Sequence, residues 1–328
     1  MAAHDGSETS LSATKSAQRQ SILIVDDAEE NLLILSNLLA DEGDILTAAD
    51  GEQALELAAT QGPDLILLDV KMPGMDGYEA CQRLKSDLQT RDIPVMFVTG
   101  LSDEGEEEKG LSLGAIDYIV KPFSPSIVLA RVRNHLQLQK ANHALKAANE
   151  ELTRLATTDF LTGVWNRRHF LELGAAEAAR VRRNGRSFGV VMLDVDHFKS
   201  VNDTYGHDVG DDVLQVLAKA CVDRLRTVDV VGRLGGEEFA MILPETDPAG
   251  ARLTVERLRV DLSEIKIPAG SDTISFTVSI GLTTISDAGD SIEAALKRAD
   301  EALYEAKGTG RNKTVIYEEL KRSRAHAT

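Results

Sequence analysis

A chain of 328 residues with 43% hydrophobic and 27% charged side chains has the make-up of a globular protein of about two domains. Its formal charge of −17 argues against nucleic acid or an anionic membrane as the main partner, since those partners call for basic patches. The two cysteines, Cys81 and Cys221, exclude a disulfide framework and a zinc cluster and fit a reducing, cytoplasmic setting.

Residues 1–19 are polar and lack the apolar core of a secretory signal, so they read as a flexible tail. Residues 1–130 hold 24 acidic and 8 basic side chains, whereas 157–328 hold 27 and 23, an asymmetry that marks two modules. Ser21–Asp27, Leu65–Leu68, Val95–Val98 and Tyr118–Val120 are apolar runs that predict buried strands, with helical spacing over Glu29–Asp41 and a short strand and helix between Asp41 and Gln61. Such runs with helices between them predict a doubly wound, five-stranded parallel sheet. Ligands of these sheets bind beyond the carboxyl ends of the strands, which here carry Asp26, Asp27, Asp69, Thr99 and Lys121.

From 126 to 156 there is no glycine or proline, and Leu138, Ala141, Leu145, Ala148, Leu152 and Leu155 alternate spacings of three and four. That heptad pattern predicts a helix of roughly 45 Å that pairs with a second copy. Beyond it, strand Phe188–Asp196, helix Val213–Leu225, hairpin Gly232–Leu243, helix Pro248–Glu264, strand Thr273–Ile280 and helix Ser291–Lys307 follow in turn. The Gly235–Gly236 pair between two strand signals predicts a tight turn and hence an α/β domain with a mixed central sheet.

Three carboxylates crowded at strand ends repel one another, and a hard cation such as Mg²⁺ relieves this. One exposed carboxylate can then attack a phosphoryl donor. VDD, LLDVKMPGMDG, VTG and DYIVKPF, in that order, resemble the receiver domain of bacterial response regulators over residues 20–140. The resemblance implies Asp69 as phosphoacceptor and one Mg²⁺ held by Asp26, Asp27, Asp69 and the Lys71 carbonyl. It also implies Thr99 and Lys121 as phosphoryl contacts, Tyr118 as the aromatic switch, and a histidine kinase as donor. Gly100 stands where the family often has alanine.

In the second module, a Gly-Gly turn followed by acids lets backbone approach a phosphate while carboxylates hold its cation. Asp194 with Glu237 or Glu238 can bind two Mg²⁺ ions, activate a hydroxyl and stabilise a pyrophosphate leaving group. No Walker A motif is present, since Gly308–Thr314 lacks its spacing. DFLTGVWNRRHF, LDVDHFKSVNDTYGHDVGD, RLGGEEF, VSIGLT and ADEALYEAKGTGRN resemble the GGDEF diguanylate cyclases over residues 157–320, leaving 321–328 as a tail. Glu stands at the third motif position, a variant common in that family.

The resemblance implies joining of two GTP into cyclic di-GMP across a homodimer, each 3′-hydroxyl attacking the other molecule's α-phosphate. Asp194, Glu237, Glu238 and the Val195 carbonyl would hold the metals, with Lys199 near the phosphates. Asn202 and Asp211 would read guanine, Gly235 and Gly236 would admit the nucleotide, and Lys307 and Arg311 would hold the terminal phosphates. RTVD, nine residues before Gly235, matches the family's inhibitory product site, with Arg226 and Asp229 gripping cyclic di-GMP and Arg257 assisting. The rival readings are a module that binds GTP or cyclic di-GMP without catalysis, then an enzyme making a different cyclic dinucleotide. A DNA-binding regulator is disfavoured because no helix-turn-helix follows the receiver.

Overall fold

The computed structural model describes residues 19–100, 110, 112–270, 272–287 and 289–326, so the expected N-terminal tail lies outside the described residues except for Arg19. It divides into two compact units, Met1–Ala147 and Ala148–Thr328. Among the described residues, no helix is long and apolar enough to cross a membrane.

The first unit is built on strands β1 (Ser21–Val25), β2 (Asp44–Ala48), β3 (Leu65–Asp69), β4 (Val95–Thr99) and β5 (Asp117–Val120). All pair in parallel, in the order β2-β1-β3-β4-β5. Because successive side chains take opposite faces, each apolar run feeds two cores. Leu23, Ile66, Leu68 and Phe97 pack with Ala54 and Ala58 of α2 (Gly51–Gln61) and with Ala80 and Leu84 of α3 (Gly77–Ser86). Ile22, Ile24, Leu65, Leu67 and Met96 pack on the other face with Leu35 and Leu39 of α1 (Glu29–Leu39). Val128, Val132 and Leu136, from the first turns of α4 (Pro125–Thr157), complete that second core. Farther along α4, Leu138, Leu145, Leu152 and Leu155 are all exposed.

The second unit carries a mixed six-stranded sheet in the order β13-β12-β7-β9-β8-β6. Its strands are β6 (Trp165–Asn166), β7 (Phe188–Val195), β8 (Val230–Gly235), β9 (Glu238–Leu243), β12 (Val278–Ile285) and β13 (Thr314–Ile316). The central β7 is buried along its whole length and pairs antiparallel with both β9 and β12. Val191, Leu193 and Val195 face α7 (His207–Arg224) and α8 (Pro248–Glu264). Val190 and Met192 face α5 (Arg167–Asn184) and α9 (Ile292–Gly308). A short helix, α6 (Phe198–Tyr205), follows β7, and α10 (Tyr317–His326) makes residues 321–326 helical where a tail was expected.

One strand differs from expectation. Thr273–Ile280 reads as a single run, but the chain forms β11 (Asp272–Ile274), paired with β10 (Ile267–Ala269), and then breaks before β12. The run divides because its two parts take different partners, β11 pairing with β10 and β12 with β7. Thr277, just before β12, accepts from the Asp196 N–H and donates its hydroxyl to the Asp196 carboxylate. Helix α7 also begins six residues before Val213; Val209 continues the apolar row there, but His207, Asp208, Gly210, Asp211 and Asp212 around it mask the helical signal.

Candidate functional site

In the first unit the acidic strand ends converge. One carboxylate oxygen each from Asp26, Asp27 and Asp69 lies within 4.8 Å of the others. Asp26 and Asp69 are buried and Asp27 is exposed, so the cluster opens to solvent on one side. Asp26 is fixed by the Ala28 N–H at 3.0 Å and the Asn31 amide at 2.9 Å. Lys121, just beyond β5, reaches across the strand ends, its Nζ 2.7 Å from Asp26 and 3.0 Å from Asp69. Burial pushes the Asp69 carboxyl above the usual aspartate range, with Lys121 opposing the shift and the Asp26 charge adding to it. Burial works against the Lys121 ammonium, yet its hydrogen bonds to Asp26 and Asp69 hold its pKa above the ordinary lysine value. The exposed Lys71 hydrogen-bonds Asp69 through its backbone. Thr99 is buried at the end of β4, where its carbonyl accepts from the Lys121 N–H at 2.6 Å. Tyr118 is half-buried on β5 with the Arg131 guanidinium 5.6 Å from its ring centre. An all-oxygen donor set of three carboxylates fits a hard divalent cation.

In the second unit, the Gly-Gly turn and the end of β7 meet a helix. Asp194 is the cross-strand partner of Glu238, which places the motif's second acid beside it. On α9, Ala295, Ala299, Leu303 and Lys307 form one i, i+4 row. Its first three members are buried against the sheet, and the fourth sets its Nζ 2.7 Å from the Asp194 carboxylate. The row sits that close because β12 offers Gly281; a Cβ there would collide with the Ala299 carbonyl and the Leu303 nitrogen. Burial raises the Asp194 carboxyl to about 6; Lys307 opposes this, and the neighbouring Glu237 and Glu238 charges add to it. Glu237 is half-buried, and Glu238, Gly235 and Gly236 are exposed. Gly236 has φ +51, a left-handed conformation that explains a glycine in this turn. Asp194, Glu237 and Glu238 offer oxygen donors of the kind Mg²⁺ takes, but among the described residues their carboxylates do not gather within 4.8 Å of one another as the first unit's three do. The Val195 carbonyl belongs to the same strand end as Asp194.

Asn202, on α6, has a buried Oδ1 with no hydrogen-bond partner among the described residues. Lys199 and Asp211 are exposed on α6 and α7, and Arg311 is exposed in the loop after α9. Asp229 accepts from the Arg226 N–H at 2.9 Å, and the Arg226 guanidinium donates to Thr246 at 3.1 Å. Arg226 borders two cavities; Arg257, exposed on α8, lines neither.

Three contributors escaped the sequence reading. Asp159 and Arg233, 74 residues apart, pair at 3.0 Å, and Arg233 also donates to the Gly236 carbonyl at 2.9 Å. They thereby hold the Gly235–Gly236 turn. Burial works against the Asp159 charge, but hydrogen bonds from Thr162 and Arg233 keep its carboxyl below the ordinary value. The buried Asp196 accepts from Ser279 at 2.6 Å, Thr277 at 2.7 Å and the Asn312 N–H at 3.0 Å. It fixes the loop in which Arg311 and Asn312 have φ +58 and +45. All three residues stand inside the quoted motifs, and a charged residue in a motif with no role yet assigned to it was the available signal.

Residues 22–133 match the model of the response regulator receiver domain, and residues 156–313 match that of the diguanylate cyclase GGDEF domain. The chain belongs to the response regulators that carry a GGDEF diguanylate cyclase domain. It is 34% identical over 296 residues to the response regulator PleD of Caulobacter vibrioides, an alignment covering 90% of this chain and 65% of that protein. It is 38% identical over 162 residues to the probable diguanylate cyclase DgcC of Escherichia coli, covering 49% of this chain and 43% of the relative. Among solved structures, the coiled coil and GGDEF domain of DgcB from Caulobacter crescentus, in complex with c-di-GMP, is 32% identical. That alignment covers 58% of this chain and 98% of the other, with a TM-score of 0.53.

Proposed function

We propose that this chain is a phosphorylation-regulated diguanylate cyclase that condenses two GTP into cyclic di-GMP and two pyrophosphate. The observation that carries the reading is the meeting of Asp194, Glu237, Glu238 and Lys307 around an exposed Gly-Gly turn, in a unit without a P-loop. Lys307 and Arg311 hold the β- and γ-phosphates, with Lys199 alongside; Asn202 and Asp211 receive guanine, whose N1 and N2 donors suit a carboxylate. The 3′-hydroxyl of one nucleotide attacks the α-phosphorus of the other, the bond to pyrophosphate breaks, and Glu238 accepts the hydroxyl proton. Two Mg²⁺ in each catalytic site and one in the receiver, when bound, would polarise the phosphates and neutralise charge on the leaving group.

One site holds one GTP, so two copies must face each other. The exposed leucines of α4 support a paired helix, since burying each against a partner is worth about 1.5–3 kcal/mol. In this reading a histidine kinase phosphorylates Asp69 in the cytoplasm, Thr99, Lys121 and Tyr118 register the phosphoryl group, and the paired helices pass the change to the catalytic units. Incubating the protein with GTP and Mg²⁺, with and without a phosphoryl mimic, and identifying the product tests the whole. If GTP binds but no product forms, the function is that of a binding module.

Product inhibition through Arg226 and Asp229, with Arg257 assisting, is part of the same reading. It is supported by the Asp229 side chain, which is 1% exposed and whose Oδ1 lacks a hydrogen-bond partner among the described residues. Arg226→Ala is expected to raise the cyclic di-GMP concentration for half-inhibition at least tenfold, as losing a charged hydrogen bond of about 1.5–3 kcal/mol requires. Equal inhibition of parent and variant would sink that assignment.

A further inference from the structure

The chain has one tryptophan, Trp165. It borders a cavity of about 350 Å³ together with Thr158, Val222, Leu225, Arg226 and Asp229. That volume lies within the usual range of small-ligand pockets, about 300–1,000 Å³. The wall is of two kinds. Trp165, Val222 and Leu225 supply a flat ring and aliphatic surface. Arg226 and Asp229 supply a guanidinium, and a carboxylate that holds one hydrogen bond from backbone while its other oxygen has no partner among the described residues. A planar base with neighbouring N–H donors matches that combination, and guanine presents them at N1 and N2. Aromatic side chains stack on bases.

We propose that this cavity seats one guanine of cyclic di-GMP, with Trp165 stacking on the base. The proposal rests on the reading of Arg226 and Asp229 as the product site and adds to it a contact that the RxxD pattern does not contain. It also gives the ligand a neighbour with a consequence. Thr158 forms a β-bridge with Trp165, and its N–H donates at 2.8 Å to the Arg154 carbonyl in the last turn of α4. A seated base therefore lies against the residue that closes the connecting helix.

The full chain is titrated with cyclic di-GMP while the emission of Trp165 and the heat of binding are followed in parallel, with Arg226→Ala as reference. The expected result is a change in emission with the same midpoint as the heat. Trp165→Leu should weaken binding about tenfold and Trp165→Phe, which keeps a ring, by less. The emission arm uses the parent chain, so the proposal remains testable where Trp165→Leu fails to fold. Parent heat that exceeds the reference, with unchanged emission, would overturn the stacking contact and leave the product site standing. Parent heat equal to that of Arg226→Ala would overturn the product site and the proposal with it. Equal affinity for cyclic di-AMP would overturn the assignment of guanine.

Discussion

Asp194→Asn is expected to abolish cyclic di-GMP formation and, in the absence of Mg²⁺, to stabilise the fold at neutral pH. The activity loss follows from the proposed mechanism, in which Asp194 is a charged oxygen donor for the metal and the transition-state charge. An effect of several kcal/mol corresponds to a thousandfold or more in rate. The stability gain follows from burial, which raises this carboxyl from 3.8 to about 6 despite Lys307 at 2.7 Å. A carboxyl raised above its unfolded value adds stability that is fully present below about 3.8 and is lost as the pH climbs through about 6. At pH 7.5 the ionised group therefore costs stability, at most about 3 kcal/mol and about half that once water screens it. Denaturant melts of the metal-free protein at pH 7.5 and pH 5 should show the parent gaining on acidification relative to Asp194→Asn, and Mg²⁺ should shrink the difference. Matching pH profiles for the two proteins, or turnover of the variant within tenfold of the parent, would contradict the assignment.

Asp69→Asn is expected to leave the protein indifferent to acetyl phosphate and to beryllofluoride. An amide cannot attack phosphorus to form an acyl phosphate, while its shape preserves the packing at the end of β3. In the parent, Lys121 bridges Asp26 and Asp69, so phosphorylation replaces one end of that bridge with a dianionic group carrying more acceptors. Coupling between sites is commonly worth about 5–150-fold, and a rise in cyclisation rate of that order is expected in the parent alone. The rate of product formation with and without each mimic decides it. A variant that still responds would place the switch elsewhere.

Much of this architecture could be read in the linear chain, for local reasons. In the first unit the apolar strands end in their acids within the same few residues, so the strand-end rule alone gathers Asp26, Asp27 and Asp69. Lys121 follows β5 in the same way. The Gly235–Gly236 turn likewise signals its hairpin. What escaped depends on contacts between distant segments. The Asp194–Lys307 pair requires α9 to lie directly on Gly281, which no periodicity encodes. Asp159 and Arg233 meet only once β8 lies beside the segment after α4. The split of Thr273–Ile280 comes from its partners, since the first part pairs with β10 and the second with β7, some eighty residues earlier. Propensity sees an unbroken β-rich run there because the choice of partner strand is tertiary.

The Asp159–Arg233–Gly236 chain of contacts has a consequence for protein engineering. The brace on the Gly235–Gly236 turn is supplied from two residues past the end of α4, inside the second unit. A fusion that replaces everything upstream of Thr157 with another helix-ended sensor keeps that brace intact. A junction placed after Gly163 discards Asp159 and leaves Arg233 as an unmatched cation against the turn. The splice point that preserves the brace is therefore the helix itself, and an upstream module can be exchanged only as far as its last turn.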